Sequence, residues 1–336
     1  MVFGLALAVA IMGLASPQAA AATLDDVRGR GVLNCGVNTG LNGFSSIDKN
    51  GVWQGLDVDF CRAIAAALLA DSGKVAFVPV TAKDRFEALR SKRIDVLARN
   101  STWTLGRDAA EGVNFVGVLF YDGQGFLVPR NLGISSALEL SGATICAEKD
   151  TTSELNVPDF FRLKSLPFKI VAVQDDAEML RAFEMGRCNV LTSDTTKLYA
   201  LRLRLTNPEA HMILPEVISK EPLGPAVRHG DDQWFDIAKW TLFALLAGEE
   251  LHLTQANVDQ MAQSGDPRIR RFLGLEGALG QQLGLDSEWA HRVIKQVGNY
   301  GEIYEAHFGQ GSPLNISRGM NALWNEGGLQ YAPPAR

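Results

Sequence analysis

Residues 94–107 of this 336-residue chain read IDVLARNSTWTLGR, an apolar strand that runs into hydroxyl and amide side chains with Arg107 close behind. In an open α/β sheet, the residues just past the carboxyl end of such a strand lie at the crevice where ligands bind. Thr102 and Arg107 offer a hydroxyl donor and a planar, charged fork of N–H groups, which together suit a small carboxylate. In an alternative interpretation, Thr104 caps a helix that begins at Leu105 and Arg107 is only solvated on its first turn. The spacing alone leaves both interpretations open.

The bulk composition is that of a soluble globular protein and argues against a nucleic-acid partner. Hydrophobic residues make up 46% and charged residues 21% of the chain, and the length allows two domains. The formal net charge is -6, so the chain has no excess of cations to neutralise phosphates in bulk.

The first 22 residues predict a secretory signal peptide. Residues 2–15 are apolar or glycine throughout, and four alanines at 19–22 precede the first charged residues, Asp25 and Asp26. Such a segment is too short to anchor a chain stably in a bilayer. We therefore expect the mature protein to be exported and soluble.

Four cysteines in an exported chain indicate two disulfides, and the count alone allows three pairings. Cys35 lies near Cys61 in the sequence, and Cys146 lies near Cys188. We favour those two pairs, each within one half of the protein. The alternative of four buried free thiols suits an oxidising compartment poorly.

The chain alternates predicted strands and helices, which indicates an α/β protein with parallel sheets. Asp57 is a candidate N-cap for a helix whose apolar residues recur every four positions. Helix, short turn, strand and polar cluster occur at 82–104 and again at 177–196. An amphipathic helix begins near residue 234, and Ser287 is the candidate N-cap of a helix in a C-terminal helical tail that ends as a surface coil. The predicted strands are residues 31–37, 75–80 (at a sheet edge), 143–147, 169–173 and 189–191, besides the one that begins at residue 94.

Two segments predict crossings of the chain between two lobes. Residues 119–129 are extended and contain glycine, and residues 216–227 contain two prolines. If the chain crosses twice, its C-terminal part completes the first lobe. We therefore predict lobe 1 from residues 23–121 plus 226–336, and lobe 2 from residues 122–225.

A ligand that carries an ammonium group beside its carboxylate needs a further acceptor. Asp194 is suited to this, because it follows a strand end in the second half as Thr102 does in the first. Taken alone, Asp194 is more simply the N-cap of the next helix. Thr152 and Ser153, at a helix start, offer hydroxyls and backbone N–H groups to the carboxylate, although ordinary capping is the commoner role.

Other chemistries have weaker support in the sequence. The five histidines are scattered in the C-terminal half without the spacing of metal ligands. No G-x-S-x-G, Walker A or G-x-G-x-x-G stretch occurs. Nothing in the sequence therefore calls for a metal or a cofactor.

The combination of these motifs resembles a known family. A strand that ends in Thr-x-Thr-x-x-Arg at 102–107, then a Thr/Ser helix start, then a strand leading to an aspartate, is similar to the periplasmic amino-acid-binding proteins of ABC importers, the family 3 solute-binding proteins. Residues 32–37, 55–60 and 293–301 resemble its general L-amino-acid-binding branch. The resemblance therefore covers essentially the whole mature chain.

The resemblance implies a type II periplasmic-binding-protein fold, in which two lobes joined by two hinge crossings close on a free L-amino acid. The protein then docks on an inner-membrane ABC permease, and we expect a monomer that is not an enzyme. Position by position, the resemblance implies that Thr102 and Arg107 bind the α-carboxylate and that Thr152 assists them. Asp194 and the backbone near Asn100 take the α-ammonium.

Two positions bear on which side chains are accepted. The resemblance implies that Phe44 lines the pocket for the ligand side chain. Alternatively, Phe44 is an aromatic residue of the hydrophobic core. Asn38 stands in the first loop where some relatives carry an acidic residue, so the range of accepted side chains stays open.

Two other functions are open at this point. An enzyme on the same scaffold, such as a cyclohexadienyl or arogenate dehydratase, would need a positioned acid or base, for which Asp194 is the one strong candidate. The sensor half of a signalling receptor is disfavoured, because no transmembrane segment follows the tail.

Overall fold

Two five-stranded sheets organise the computed structural model, which describes residues 23–336. The predicted signal peptide, residues 1–22, lies outside the described residues. The strands are β1 (Leu33–Val37), β2 (Ser46–Ile47), β3 (Trp53–Gln54), β4 (Val75–Pro79), β5 (Val96–Leu97), β6 (Val113–Phe115), β7 (Phe120–Asp122), β8 (Gln124–Pro129), β9 (Ala143–Glu148), β10 (Phe168–Val173), β11 (Val190–Asp194), β12 (His211–Ile213), β13 (Glu221–Leu223) and β14 (Ala226–Arg228).

The helices follow the predicted alternation, although several are shorter than expected. They are α1 (Thr23–Arg30), α2 (Leu56–Leu69), α3 (Arg85–Arg90), α4 (Leu105–Ala110), α5 (Thr152–Leu163), α6 (Asp176–Glu184), α7 (Thr195–Arg202), α8 (Asp232–Glu250), α9 (Val258–Met261), α10 (Pro267–Phe272), α11 (Leu279–Gln282), α12 (Trp289–Val297) and α13 (Tyr300–His307). None of the helices between residues 23 and 336 has the length and apolar character needed to cross a membrane.

The two sheets share one plan. The first has the order β4-β1-β5-β14-β6, with β1 parallel to β4 and β5, and with β14 antiparallel to β5 and β6. The second has the order β10-β9-β11-β8-β12, with β9 parallel to β10 and β11, and with β8 antiparallel to β11 and β12. The predicted α/β fold is confirmed, and β4 lies at a sheet edge as its proline predicts. We call the elements around each sheet the first lobe and the second lobe.

The short strands β7 and β13 form an antiparallel pair where the chain passes between the lobes. The first sheet takes its strands from residues 33–115 and 226–228, and the second takes its strands from residues 124–213. The chain therefore crosses twice, within the segments that the sequence predicts. The finer division, with 122–225 as the second lobe, remains our proposal.

Each lobe has one disulfide between its sheet and a neighbouring element. Cys35 on β1 is bonded to Cys61 on α2, and Cys146 on β9 is bonded to Cys188 just before β11. Both predicted pairings are confirmed. In the first lobe the bond joins the sheet to the buried face of α2, where Phe60 is fully buried.

Two predicted helix N-caps are wrong by one or two residues. Helix α2 begins at Leu56, and Gly55 occupies its N-cap position with φ 131°. A Cβ at Gly55 would lie 2.2 Å from a backbone carbonyl oxygen of the preceding loop, so only glycine fits. Asp57 is therefore inside the helix and is free to bond elsewhere. The N-cap position of α12 is Glu288 rather than Ser287.

The C-terminal tail packs on the first lobe and reaches the hinge. The hydroxyl of Tyr300 donates to the carbonyl oxygen of Leu119 at 2.9 Å. The side chain of Asn321 accepts the N–H of Tyr121 at 2.7 Å and donates to its carbonyl oxygen at 3.0 Å. The predicted surface coil is thus wrong for Asn321 and Gln330, which are buried against the strand that leads out of the first lobe.

Candidate ligand-binding site

A cavity between the lobes brings together the polar clusters that follow β5 and β11. A larger groove on the second lobe, near His211, contains none of the predicted ligand-binding residues. The cavity is lined by Arg85, Arg99, Asn100, Thr102, Arg107, Glu148, Thr151, Thr152, Ser153, Ser193, Asp194 and Lys197. Six of the seven ligand-binding residues predicted from the sequence are in this lining, and Phe44 is the exception.

Arg107 reaches the cavity from α4, whose predicted N-cap, Thr104, is confirmed. Thr104 is the N-cap of α4, and its hydroxyl accepts the N–H of Arg107 at 3.3 Å. The guanidinium of Arg107 donates from Nη1 to the carbonyl oxygen of Thr102 at 2.8 Å and lies over the ring of Phe86 at 5.8 Å. Burial lowers the pKa of Arg107, yet arginine stays charged at neutral pH. The capped helix therefore presents a cation to the cavity.

The first turn of helix α5 lines the cavity. Thr151 is its N-cap, with a hydroxyl that accepts the N–H of Glu154 at 3.3 Å. The first N–H groups of a helix have no acceptor within the helix, so those of Thr152 and Ser153 are available to an anion. The turn that Thr151 caps could therefore also accept an anion.

Glu221, on hinge strand β13, accepts hydrogen bonds from residues of both lobes. The sequence analysis did not predict this role. Its Oε2 accepts the hydroxyl of Thr102 at 2.6 Å and the hydroxyl of Thr152 at 2.9 Å. Its Oε1 accepts from Asn156 at 2.9 Å and from Ser219 at 2.6 Å. Because a hydroxyl has one proton, these two threonines present oxygen lone pairs, not donors, to anything bound beside them.

Asp194 contributes a buried carboxylate from the end of β11. It occupies the N-cap position of α7, but its side chain makes no capping hydrogen bond. Burial raises the pKa of Asp194, the carboxylates of Asp122 and Glu221 raise it further, and Lys197 and Arg107 oppose them. A cation brought next to such a carboxylate would favour its charged form.

Asn100 turns the chain at the cavity with a positive φ of 35°, a conformation that asparagine tolerates better than most residues. Its backbone N–H donates to the carboxylate of Asp57 at 2.9 Å, and its side-chain oxygen accepts from Asn38 at 3.0 Å. Burial raises the pKa of Asp57 to about 7. With its N–H engaged, the backbone group that Asn100 has left for a ligand is its carbonyl oxygen.

Three buried cations in the lining were also missed by sequence analysis: Arg85, Arg99 and Lys197. The Nζ of Lys197 lies 2.5 Å from Glu148 and 2.6 Å from Asp176, and Arg99 lies 3.9 Å from Glu148. The sequence signal for the arginines is weak: each is a single cation next to inward-facing apolar residues. Arg85 precedes Phe86 in α3, and Arg99 ends the apolar strand of the 94–107 stretch.

Phe44 is a core aromatic rather than a wall of the cavity. It is 1% exposed, and its ring packs at 5.3 Å from Phe120 and 5.1 Å from Phe308. Phe308 belongs to the segment after α13, so the C-terminal tail helps to bury Phe44. The core interpretation of Phe44 is the one the structure favours.

The fold and the site define an extracytoplasmic solute-binding protein with two lobes. Residues 33–257 match the bacterial extracellular solute-binding proteins, family 3, and the chain belongs to this family. The predicted family resemblance is thereby confirmed.

Relatives match over nearly the whole chain. The general L-amino acid-binding periplasmic protein AapJ of Rhizobium johnstonii is 55% identical over 333 residues, which is 98% of each chain. The glutamate/glutamine/aspartate/asparagine-binding protein BztA of Rhodobacter capsulatus is 51% identical over 329 residues, 98% of this chain and 97% of that one. Among solved structures, an ABC transporter periplasmic binding protein from Brucella ovis with glutathione bound has a TM-score of 0.92 and 51% identity, covering 94% of this chain and 100% of that one.

Proposed function

We propose that this protein captures a free L-amino acid between its lobes and delivers it to the permease of an ABC transporter. The observation that carries the proposal is that a guanidinium from the first lobe and a carboxylate from the second line one cavity, Arg107 and Asp194. A zwitterion needs opposite charges held at a fixed separation. The family and the relatives, named as amino-acid-binding proteins of transporters, support the same function.

The α-carboxylate binds Arg107 and the backbone N–H groups of Thr152 and Ser153 at the start of α5. The α-ammonium binds the carboxylate of Asp194 and the carbonyl oxygen of Asn100. This assignment differs from the resemblance at the threonines. Because the hydroxyl protons of Thr102 and Thr152 go to Glu221, neither hydroxyl is free to donate to the α-carboxylate.

The protein works in the periplasm as a soluble monomer and catalyses no reaction. A dehydratase on this scaffold remains the alternative, with Asp194 as its acid or base. Incubation with prephenate or arogenate tests it: we expect no aromatic product, and its enzymatic release would contradict a purely binding role.

A thermal-shift screen of the common amino acids identifies the ligand. A molecule that binds only the folded state stabilises it by about 2.7 kcal/mol at a concentration 100 times its Kd. We expect several amino acids to raise the Tm. No rise with any of them would contradict the proposal.

Calorimetric titration of Arg107→Ala with the best ligand then tests the site. Removing a charge-assisted contact weakens binding by about 1.5–3 kcal/mol, a rise in Kd of roughly 10- to 150-fold. Arg204→Ala is a matched control, since Arg204 is exposed on the second lobe and outside the cavity. An unchanged Kd in Arg107→Ala would remove this residue from the site.

A further inference from the structure

Thr23, the first residue of α1, is fixed on the first lobe through its backbone nitrogen. Its N–H donates to Oδ2 of Asp231 at 2.7 Å, and its hydroxyl accepts from Nη2 of Arg228 at 2.8 Å. Thr23 is 3% exposed, and these two partners lie more than 200 residues later in the chain. The start of α1 is therefore held by a site that the end of β14 and the start of α8 build together.

The side chain of Asp231 does more than cap α8. Its Oδ1 accepts the N–H of Trp234 at 3.0 Å as the N-cap of that helix, which leaves Oδ2 to Thr23. Burial opposes the ionisation of Asp231, but hydrogen bonds from Thr23 and Trp234 outweigh it and lower the pKa of this carboxyl group. The oxygen that contacts the backbone nitrogen of Thr23 is therefore negatively charged at neutral pH.

The charges around this contact have an excess of carboxylates. Burial lowers the pKa of Arg228, and the nearby carboxylates of Asp95, Asp231 and Asp26 oppose it. Arg30 forms an ion pair with Asp95. These five residues thus contain three carboxylates and two guanidiniums. One more cation at the start of α1 would balance the cluster.

We propose that the signal peptide is cut between Ala22 and Thr23, and that Asp231 binds the α-ammonium group that this cut creates. Ala20 and Ala22 provide the two small residues, one position apart, that precede a signal-peptidase cut. The cut consumes one water. The carbonyl carbon of Ala22 takes its oxygen and becomes a carboxylate, and the nitrogen of Thr23 takes both protons and becomes an ammonium group. Neither step involves the ligand or the cavity between the lobes.

An ammonium group binds this carboxylate more strongly than the amide that it replaces. A hydrogen bond between two charged groups is shorter and stronger than one with a neutral donor. The positive end of the α1 dipole disfavours a cation here, but Asp25 and Asp26 in the first turn and the carboxylate of Asp231 offset it. Removal of the signal peptide should therefore stabilise the folded protein after export.

In the competing explanation, Asp231 accepts only an amide N–H and acts as a distant cap for α1. The residue that precedes Thr23 would then make no difference to the contact. The two explanations differ in one respect, because only an ammonium group at Thr23 makes the contribution of Asp231 depend on where the chain begins.

Intact-mass measurement and N-terminal sequencing test the position of the cut. The full-length chain is expressed in a bacterial host and the exported protein is recovered from the periplasm. We expect Thr23 as its first residue. Any other first residue would overturn the proposal.

Thermal unfolding of two N-terminal forms tests the ion pair. One form begins at Thr23; the other begins at Ala19, which moves the ammonium group four residues away and leaves an amide at Thr23. Asp231→Asn is made in both, since asparagine caps a helix as well as aspartate does and the substitution removes only the charge. We expect it to lower the Tm by about 2 °C or more in the Thr23 form and by less than half as much in the Ala19 form.

Asp232→Asn is the matched control, because Asp232 is an exposed carboxylate in the first turn of α8, next to Asp231 in the sequence. Its effect on the Tm should be the same in both forms. An equal loss from Asp231→Asn in the two forms would show that Asp231 accepts only an amide and would overturn the ion pair. If Asp231→Asn does not fold, Asp231→Ser, which also caps a helix, takes its place with the same expectation.

Discussion

Replacing Glu221 by Gln should weaken ligand binding, because this hinge carboxylate holds one threonine from each lobe at the cavity. Glu221 accepts four hydrogen bonds, two on each oxygen, from Thr102, Thr152, Asn156 and Ser219. An amide has one oxygen and one NH2 group. In the glutamine variant, the NH2 group therefore faces two groups that donated hydrogen bonds to the carboxylate oxygen it replaces.

The expected magnitude follows from those two lost bonds. A hydrogen bond to a charged group contributes about 1.5–3 kcal/mol, and the amide N–H recovers part of it by donating to a hydroxyl oxygen. We expect a net loss near 2 kcal/mol in the closed, ligand-bound state, which is roughly a 30-fold rise in Kd. Some of the lost hydrogen bonds should also stabilise the ligand-free protein, so its Tm should fall as well.

Calorimetric titration of the Glu221→Gln protein with the best ligand measures the effect. Glu216→Gln is the matched control, because Glu216 is a half-buried carboxylate that accepts from Ser136 and Ala137, both in the second lobe. This control should bind as the unsubstituted protein does. A Glu221→Gln protein with unchanged Kd and a lowered Tm would refute the reasoning, since Glu221 would then be structural only.

Three further outcomes are expected. Asp194→Asn should raise Kd roughly 10- to 150-fold by removing the charged acceptor of the ammonium, and calorimetry with unchanged affinity would rule that role out. Burial raises the pKa of Asp57 to about 7 and that of Asp122 to about 6, so the folded state binds protons more readily than the unfolded state. The Tm of the ligand-free protein should therefore rise as the pH falls from about 8 to about 5, and the rise should be smaller in Asp57→Asn. A Tm that falls over this pH range would contradict the raised pKa values of these two aspartates. Asn321→Ala should lower the Tm, because it leaves the backbone N–H and carbonyl oxygen of Tyr121 without their side-chain partner; an unchanged melting curve would show that the tail does not brace the hinge.

The repeated order of helix, strand and polar cluster made the two sheets predictable. Strand ends in parallel sheets meet at one edge, so the clusters at Thr102 and Asp194 were expected at a crevice. The disulfides were predictable because each pair is close in sequence. Family resemblance supplied what spacing could not, namely the prediction that the two clusters bind one ligand.

The missed residues depend on contacts that no local pattern encodes. Glu221 lies in a proline-containing crossing, and its role depends on two threonines that are 119 and 69 residues away. Asp57 has the sequence signature of an N-cap, but a tight contact at Gly55 moves the helix start and frees its carboxylate for Asn100. For Phe44 the sequence left the pocket and core interpretations open, because the Phe308 ring that packs on it follows much later in the chain.

A crystal structure of the protein with a bound amino acid tests the central claim most directly. We predict the α-carboxylate within hydrogen-bond distance of the Arg107 guanidinium and the α5 N-terminus, and the α-ammonium next to the Asp194 carboxylate. A ligand that contacts neither charge, or that lies outside the cavity between the lobes, would contradict the account.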